Sequence, residues 1–197
     1  MTVATIPLFP LSTVLFPDGP LPLRVFEPRY LDMISNCMKS GSSFGVLQIR
    51  SGNDTGNVDV HRVGTLATVI DWYQGSDGIL GITALGSCRF HLISMERQRD
   101  GLYMGAVEFM QPEAAVPLPV VYKPMAELLR AIIEDLGLLY ESLEKHYQDA
   151  GWVGCRLAEV LPISGEQKQH CLELNDPLER IETLRPLLRA LREDSIQ

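Results

Sequence analysis

Paired cysteines are missing from this chain. Its four, Cys37, Cys88, Cys155 and Cys171, are scattered without a Cys-x-x-Cys spacing. That removes the usual zinc and redox motifs and predicts buried free thiols. No glycine is followed by lysine, so the Gly-x-x-x-x-Gly-Lys loop that cradles nucleotide phosphates is absent. No basic segment precedes the first apolar residues, and Pro7 and Pro10 interrupt them, which argues against a signal peptide. No apolar run approaches the roughly 20 residues of a membrane span. Without secretion, the Asn53-Asp54-Thr55 sequon carries no meaning. These absences predict a cytoplasmic protein with no membrane segment. An excess of positive charge is missing too. The chain has 17 Lys and Arg against 25 Asp and Glu, a net charge of −8. Residues 1–116 hold 8 basic and 11 acidic groups, and residues 117–197 hold 9 and 14. Neither part is basic, which counts against a nucleic-acid backbone as partner.

What is present is a soluble, globular composition. The chain has 197 residues, 46% hydrophobic and 21% charged, enough for one domain or two small ones with a real core. The first thirty residues are dense in proline and apolar side chains. Proline is excluded from central strands, so this stretch predicts short edge strands joined by extended bends. Pro28 then opens a helix that runs to Ser40 and stops at Gly41. Phe44–Arg50 reads as a strand, and residues 51–57 as a mobile polar loop. Four strand-like segments follow: Val63–Trp72, Ile79–Leu85, Cys88–Met95 and Leu102–Met110. Gly75-Ser76-Asp77-Gly78 and Asp100-Gly101 supply hairpin turns between them. An antiparallel meander of this kind can close into a small barrel.

Pro112, Pro117 and Pro119 mark a linker. Beyond it, Met125, Leu128, Leu129, Ile132, Ile133, Leu136, Leu139, Tyr140 and Leu143 form one helical stripe. A second helix is expected near Trp152–Leu161. Ser164-Gly165-Glu166-Gln167 fits a capping box for a third. Asp176-Pro177-Leu178-Glu179 starts a fourth, in which Pro186 predicts a kink or break.

The opening, Ile6-Pro7-Leu8-Phe9-Pro10-Leu11 through Val14-Leu15-Phe16-Pro17-Asp18-Gly19-Pro20 to Val25-Phe26-Glu27-Pro28-Arg29-Tyr30, closely resembles the start of the N-terminal domain of Lon proteases. Val63-Gly64-Thr65, Gly86-Ser87-Cys88-Arg89-Phe90 and the helical tail resemble later parts of it. The expected class is α+β: an N-terminal antiparallel β pseudo-barrel with one helix over residues 1–116, PUA-like by the resemblance, then a C-terminal α-helical bundle over residues 117–197. The resemblance implies a generic role in binding polypeptide, either unfolded chains or a specific partner protein, with no cofactor. Lon proteases join this domain to an ATPase and a protease. With no phosphate-binding loop and no room for further large domains, the expected role is non-catalytic, an adaptor or regulator of proteolysis. An RNA-binding role for the PUA-like half is the alternative.

Candidate residues follow from the pattern. Trp72 and Tyr73 lead into the Gln74–Gly78 turn. One of two adjacent strand residues points away from the core, and an exposed aromatic near a hairpin tip can anchor a peptide. Ile79 extends that surface. Leu15 and Phe16, held between prolines, are candidates for an exposed apolar patch. Glu27 and Arg29 fit better as structural anchors of the bend. His170 and Cys171 are helix neighbours that do not face one another, a poor dyad. Arg185, Arg189 and Arg192 make a basic stripe, read as a solvated face with Glu182 and Glu193 nearby. A hydrolase would need a convergent pocket holding a perturbed acid or base.

Overall fold

The computed structural model describes residues 3–52, 58–141 and 143–194, with side chains as far as Arg189. Most of the predicted 51–57 loop, Asn53, and the side chains of Leu191, Arg192 and Glu193 lie outside the described residues. The chain divides into two compact units, Met1–Pro112 and Glu113–Gln197.

The first unit holds β1 (Val3–Leu11), β2 (Pro20–Val25), α1 (Pro28–Ser40), β3 (Phe44–Ser51), β4 (Asp59–Val60), β5 (Val63–Gln74), β6 (Leu80–Arg97) and β7 (Tyr103–Phe109). Strand order is β1-β7-β6-β5-β3-β4, with β2 on β6. The pairs are antiparallel except β1–β3, which is parallel. That extra pairing joins β1 to β3 and closes five strands into a ring.

β1 is not a simple edge strand. Val3–Leu8 pair with β7, and Leu8–Leu11 pair with β3 on the other side. The partner switches at Leu8, so Pro7 and Pro10 each sit where β1 has one neighbour. A proline needs only one open side to hide its missing N–H.

Two clusters fill this unit. Leu8, Leu47, Phe90, Leu92, Tyr103 and Val107 come together from four of the ring strands. The other cluster packs α1, through Tyr30, Met33, Ile34 and Cys37, against Phe9, Val25, Phe44, Ile82 and Ala84. Phe9 stacks on Tyr30 with centroids 3.9 Å apart. α1 ends at Gly41, at φ 65°, whose N–H bonds the Cys37 carbonyl.

The segments Ile79–Leu85 and Cys88–Met95, expected as separate strands, form the single 18-residue strand β6. Gly86-Ser87 does not break it. The glycine is there because the backbone at Phe16 passes directly over it: a Cβ on Gly86 would meet the Phe16 carbonyl oxygen at 2.2 Å.

The second unit starts earlier than the linker reading placed it, because residues 113–116 bond within it. The Val116 N–H donates to Asp149, and Ala150 donates back to the Val116 carbonyl. A single 3-10 turn at Val120–Tyr122 leads into α2 (Lys123–Leu136), α3 (Leu138–Glu141), α4 (Ala150–Val160), α5 (Gly165–Glu173) and α6 (Pro177–Asp194). The long stripe from Met125 to Leu143 is two helices, not one, because Gly137 leaves helical geometry at φ 58°, ψ −122°. α4 is buried on nearly every side and packs against α2, α5 and α6. α5 carries the Ser164–Gln167 capping box. α6 runs through Pro186 without a break. The carbonyl deprived of its donor belongs to Glu182, an exposed residue, where water can satisfy it.

Asp149 caps α4 and also holds the entering chain. One oxygen accepts the Trp152 N–H at 2.8 Å and the other accepts that of Val116 at 3.1 Å. Asp149→Ala is expected to cost about 1–2 kcal/mol, read as a lower urea midpoint, with Asp149→Asn losing less. An unchanged alanine midpoint would refute the double role.

Candidate functional site

β5 runs beyond the ring and ends in exposed side chains. Trp72 is 58% exposed and Tyr73 56%. They lie on opposite faces, as adjacent strand residues must. Trp72 pairs with Ile82 across the strands, and Ile82 with Leu23, so it shares the face that carries the core. Ile82 is fully buried, so the indole stands at the rim of that core. Tyr73 pairs with Gly81, and its ring covers that glycine: a Cβ there would lie 2.2 Å from the ring. One face of the phenol is therefore spent on the sheet. Ile79, half-buried, follows the turn.

The turn is rigid. Gly75 donates to the Ile79 carbonyl at 2.9 Å, and the Ile79 N–H donates to Asp77. Asp77 also pairs with Arg24 of β2. Its carboxyl is held below the usual range, by the Ile79 N–H first and Arg24 after.

Leu15 and Phe16 do not belong to this surface. They are 2% and 0% exposed, which corrects the expectation of an exposed patch. The Thr65 hydroxyl donates to the Leu15 carbonyl at 2.6 Å, the Asp18 N–H donates to the Gly86 carbonyl, and the Gly86 N–H donates to that of Gly19. The proline-bounded segment is thereby laid onto β5 and β6, with its side chains inward.

Ile70, on the outer part of β5, and Phe26, just past β2, are further exposed apolar residues. Ile70 is the extra residue of a bulge between Val69 and Asp71. Phe26 is 69% exposed. It directly follows Val25, which pairs with Leu80, so it leaves the sheet at the same end as Trp72. The sequence signal at Phe26 points the other way, since a residue before the Glu27 cap is placed to pack back on the helix as a staple. The bulge had none.

The other candidates resolve as structural. Arg29 pairs with Glu27 at 2.6 Å, donates to the Gly101 carbonyl and lies 4.8 Å over the Tyr30 ring. It ties down the β6–β7 turn, a target the sequence did not indicate. Cys171 is buried, its thiol pushed up to about 11 by that burial, while His170 is exposed. Arg185 pairs with Glu182 at 3.6 Å, which leaves the basic stripe partly neutralised.

A buried polar group in the second unit went unforeseen. Arg156, fully buried, reaches Glu159 at 3.2 Å, Tyr140 donates to the same carboxylate, and Lys168 donates to the Glu159 carbonyl at 2.7 Å. Burial pushes the Glu159 carboxyl up against the pull of Arg156, and pushes Lys168 down. Such shifts can mark catalysis, but here each group is used to join α3, α4 and α5. Among the described residues no His, Cys, Asp and Glu cluster could hold a metal ion. No helix among them is long and apolar enough to cross a membrane.

The chain is similar to known proteins over most of its length. Residues 5–190 match the family described as the ATP-dependent protease La (LON) substrate-binding domain. A crystal structure of a Lon N-terminal domain protein from Xanthomonas campestris aligns with a TM-score of 0.77 and 34% identity, over 93% of this chain and 98% of that one. The N-terminal domain of a Mycobacterium avium complex Lon protease shares the fold, with a TM-score of 0.61 at 15% identity, over 92% of this chain and 96% of that one. Lon protease 2 of Myxococcus xanthus is 24% identical over 95% of this chain, and cereblon of Danio rerio is 28% identical over 60%. The chain spans 24% of the length of the former and 28% of the latter.

Proposed function

Because the chain belongs to the Lon substrate-binding domain family, we propose that it is a non-catalytic module that binds polypeptide at the outer end of β5. The observation that carries this reading is the exposure of Trp72 on a strand whose turn is fixed by hydrogen bonds and an ion pair. A rigid aromatic at a protein surface contributes contact area at little entropic cost. Phe26 at the same end of the sheet and Ile70 in the bulge add exposed apolar side chains nearby, with Ile79 beside the turn, while Tyr73 offers its outer face on the other side of the strand. In this role the protein holds unfolded segments, or presents them to a separate protease as an adaptor. We place it in the cytoplasm, where its thiols, none of them in a disulfide among the described residues, stay reduced.

The test is fluorescence anisotropy at physiological salt, with a labelled, permanently unfolded polypeptide as ligand and single-stranded RNA as competitor. Saturable binding that RNA leaves untouched is expected. Trp72→Ala is expected to weaken it by roughly tenfold or more while the melting temperature stays within a few degrees. Displacement by RNA, with loss at raised salt, would favour the RNA-binding alternative instead.

A further inference from the structure

β2 and the outer part of β5 flank the same stretch of β6, and among the described residues each has only that strand as a paired neighbour there. β3 reaches β5 only at Thr65, Leu66 and Ala67. Residues 68–74 of β5 therefore have an open edge. In an antiparallel pair, alternate residues turn both backbone groups towards the partner, and those between turn them away. The bond from Gly75 to the Ile79 carbonyl sets the phase. Asp71 and Tyr73 face β6, while Trp72 and Gln74 offer N–H and C=O to the open side. In keeping with this, the Trp72 N–H donates to its neighbour, the Asp71 carboxylate, at 2.8 Å.

The same phase turns the nitrogens of Pro20 and Pro22 to the outer edge of β2. They have no proton to give, so of the outward residues Pro20, Pro22 and Arg24 only the last offers a donor, and that edge is blunted against pairing. Residues 68–74, Thr-Val-Ile-Asp-Trp-Tyr-Gln, contain neither proline nor lysine. The Trp72 donor on their open edge is covered by a side chain that can rotate away. One edge is blunted by proline and the other is latched.

We propose that the open edge of β5 takes an extended, cationic polypeptide segment as an added strand, with Asp71 as the latch. This rests on the polypeptide-binding reading and specifies its mode. A carbonyl of the incoming strand takes the Trp72 N–H. The released Asp71 carboxylate pairs with a Lys or Arg of that strand, and an apolar side chain beside it packs on the Trp72 indole. Charge selects the occupant. The chain carries −8, so a basic segment is attracted. A second copy of β5 would bring another Asp71 and no cation within 68–74.

The probe is a fluorescein-labelled peptide of about eight residues, matched to the open edge, alternating Lys with Val and Phe. It is made unmodified and with backbone N-methyl groups on either alternate set of residues. N-methylation removes donors on one edge of the peptide strand only. Against the full chain, one methylated form is expected to bind at least roughly tenfold more weakly than the unmodified peptide and the other about equally. Asp71→Ala is expected to tighten binding of the same peptide with Lys replaced by Ser, because the latch is gone and no charge pair is lost.

Equal binding of all three forms would overturn the added strand and leave polypeptide binding through side chains intact. Failure of both the peptides and the unfolded polypeptide to bind would remove both readings. A concentration-dependent dimer in sedimentation, abolished by Trp72→Pro, would assign the edge to a second copy and overturn the proposal.

Discussion

Arg180→Ala is expected to cost about 3–5 kcal/mol, the loss that follows when one partner of a buried ion pair is removed. Arg180 is fully buried on α6. Its Nη1 donates to the Glu113 carboxylate at 2.9 Å and its Nη2 engages the other oxygen, a two-point pairing. Its Nε donates to the Cys171 carbonyl at 2.8 Å, and Nη2 also reaches that of Leu174 at 2.6 Å. Those carbonyls close α5, where a helix leaves acceptors without internal donors. One guanidinium thus holds the entering segment, the end of α5 and the body of α6 together. Alanine takes this two-point pairing away from a largely buried Glu113 carboxylate. Arg180→Lys keeps the charge but not the planar fork, and is expected to recover only part of the loss. The measurement is urea unfolding followed by helical circular dichroism. A loss below about 1 kcal/mol for alanine would refute this account.

Gly86→Ala is expected to be nearly as damaging, at about 3 kcal/mol, within the range for forcing atoms into a packed interior. Its new methyl would meet the Phe16 carbonyl oxygen at 2.2 Å. That oxygen cannot retreat cheaply, because the loop is fastened to the same strand. Asp18 donates to the Gly86 carbonyl, and Gly86 donates to that of Gly19, each at 2.9 Å. Relief means lifting the loop and exposing Leu15 and Phe16, whose burial contributes about 1.5–3 kcal/mol each. Gly78→Ala is the control. That residue sits at φ 79° with nothing within 4 Å of a Cβ, so only backbone strain of about 1–2 kcal/mol applies. Equal midpoints for the two variants would show that the close approach at Gly86 is not limiting.

Local chemistry was legible in the sequence, and long-range geometry was not. Pro28 and Gly41 bound α1 because each has a backbone reason to stand where it does. Ser164 and Gln167, and Asp176 before Pro177, marked helix starts in the same way. The α+β class followed from the change of period after Pro112. The break expected at Gly86-Ser87 was misread because a glycine that admits a neighbouring backbone looks, in one dimension, like a turn. The parallel pairing of β1 with β3 leaves no local trace. The burial of Leu15 and Phe16 depends on Thr65 and Gly86, far along the chain. Trp72 and Tyr73 were legible as a pair of opposed aromatics, but the open edge beside them emerged only from the register of β5 and β6. Arg156 and Arg180 gave no sign of being interior, since nothing in a helix sequence separates a buried arginine from a solvated one.

The change of partner along β1 has a consequence for biosynthesis. Leu8–Leu11 find β3 at residues 45–48, soon after they are made, but Val3–Leu8 need β7 at residues 103–108. A ribosome adds about 5–20 residues per second, so this half of the strand waits roughly 5–20 s on the nascent chain. Through that delay an apolar β-segment is open to neighbouring polysomes. Pro7, in the waiting half, cannot donate to an intruding strand. The proline that interrupts the apolar run is then what keeps this half of the strand unpaired until its own partner is translated.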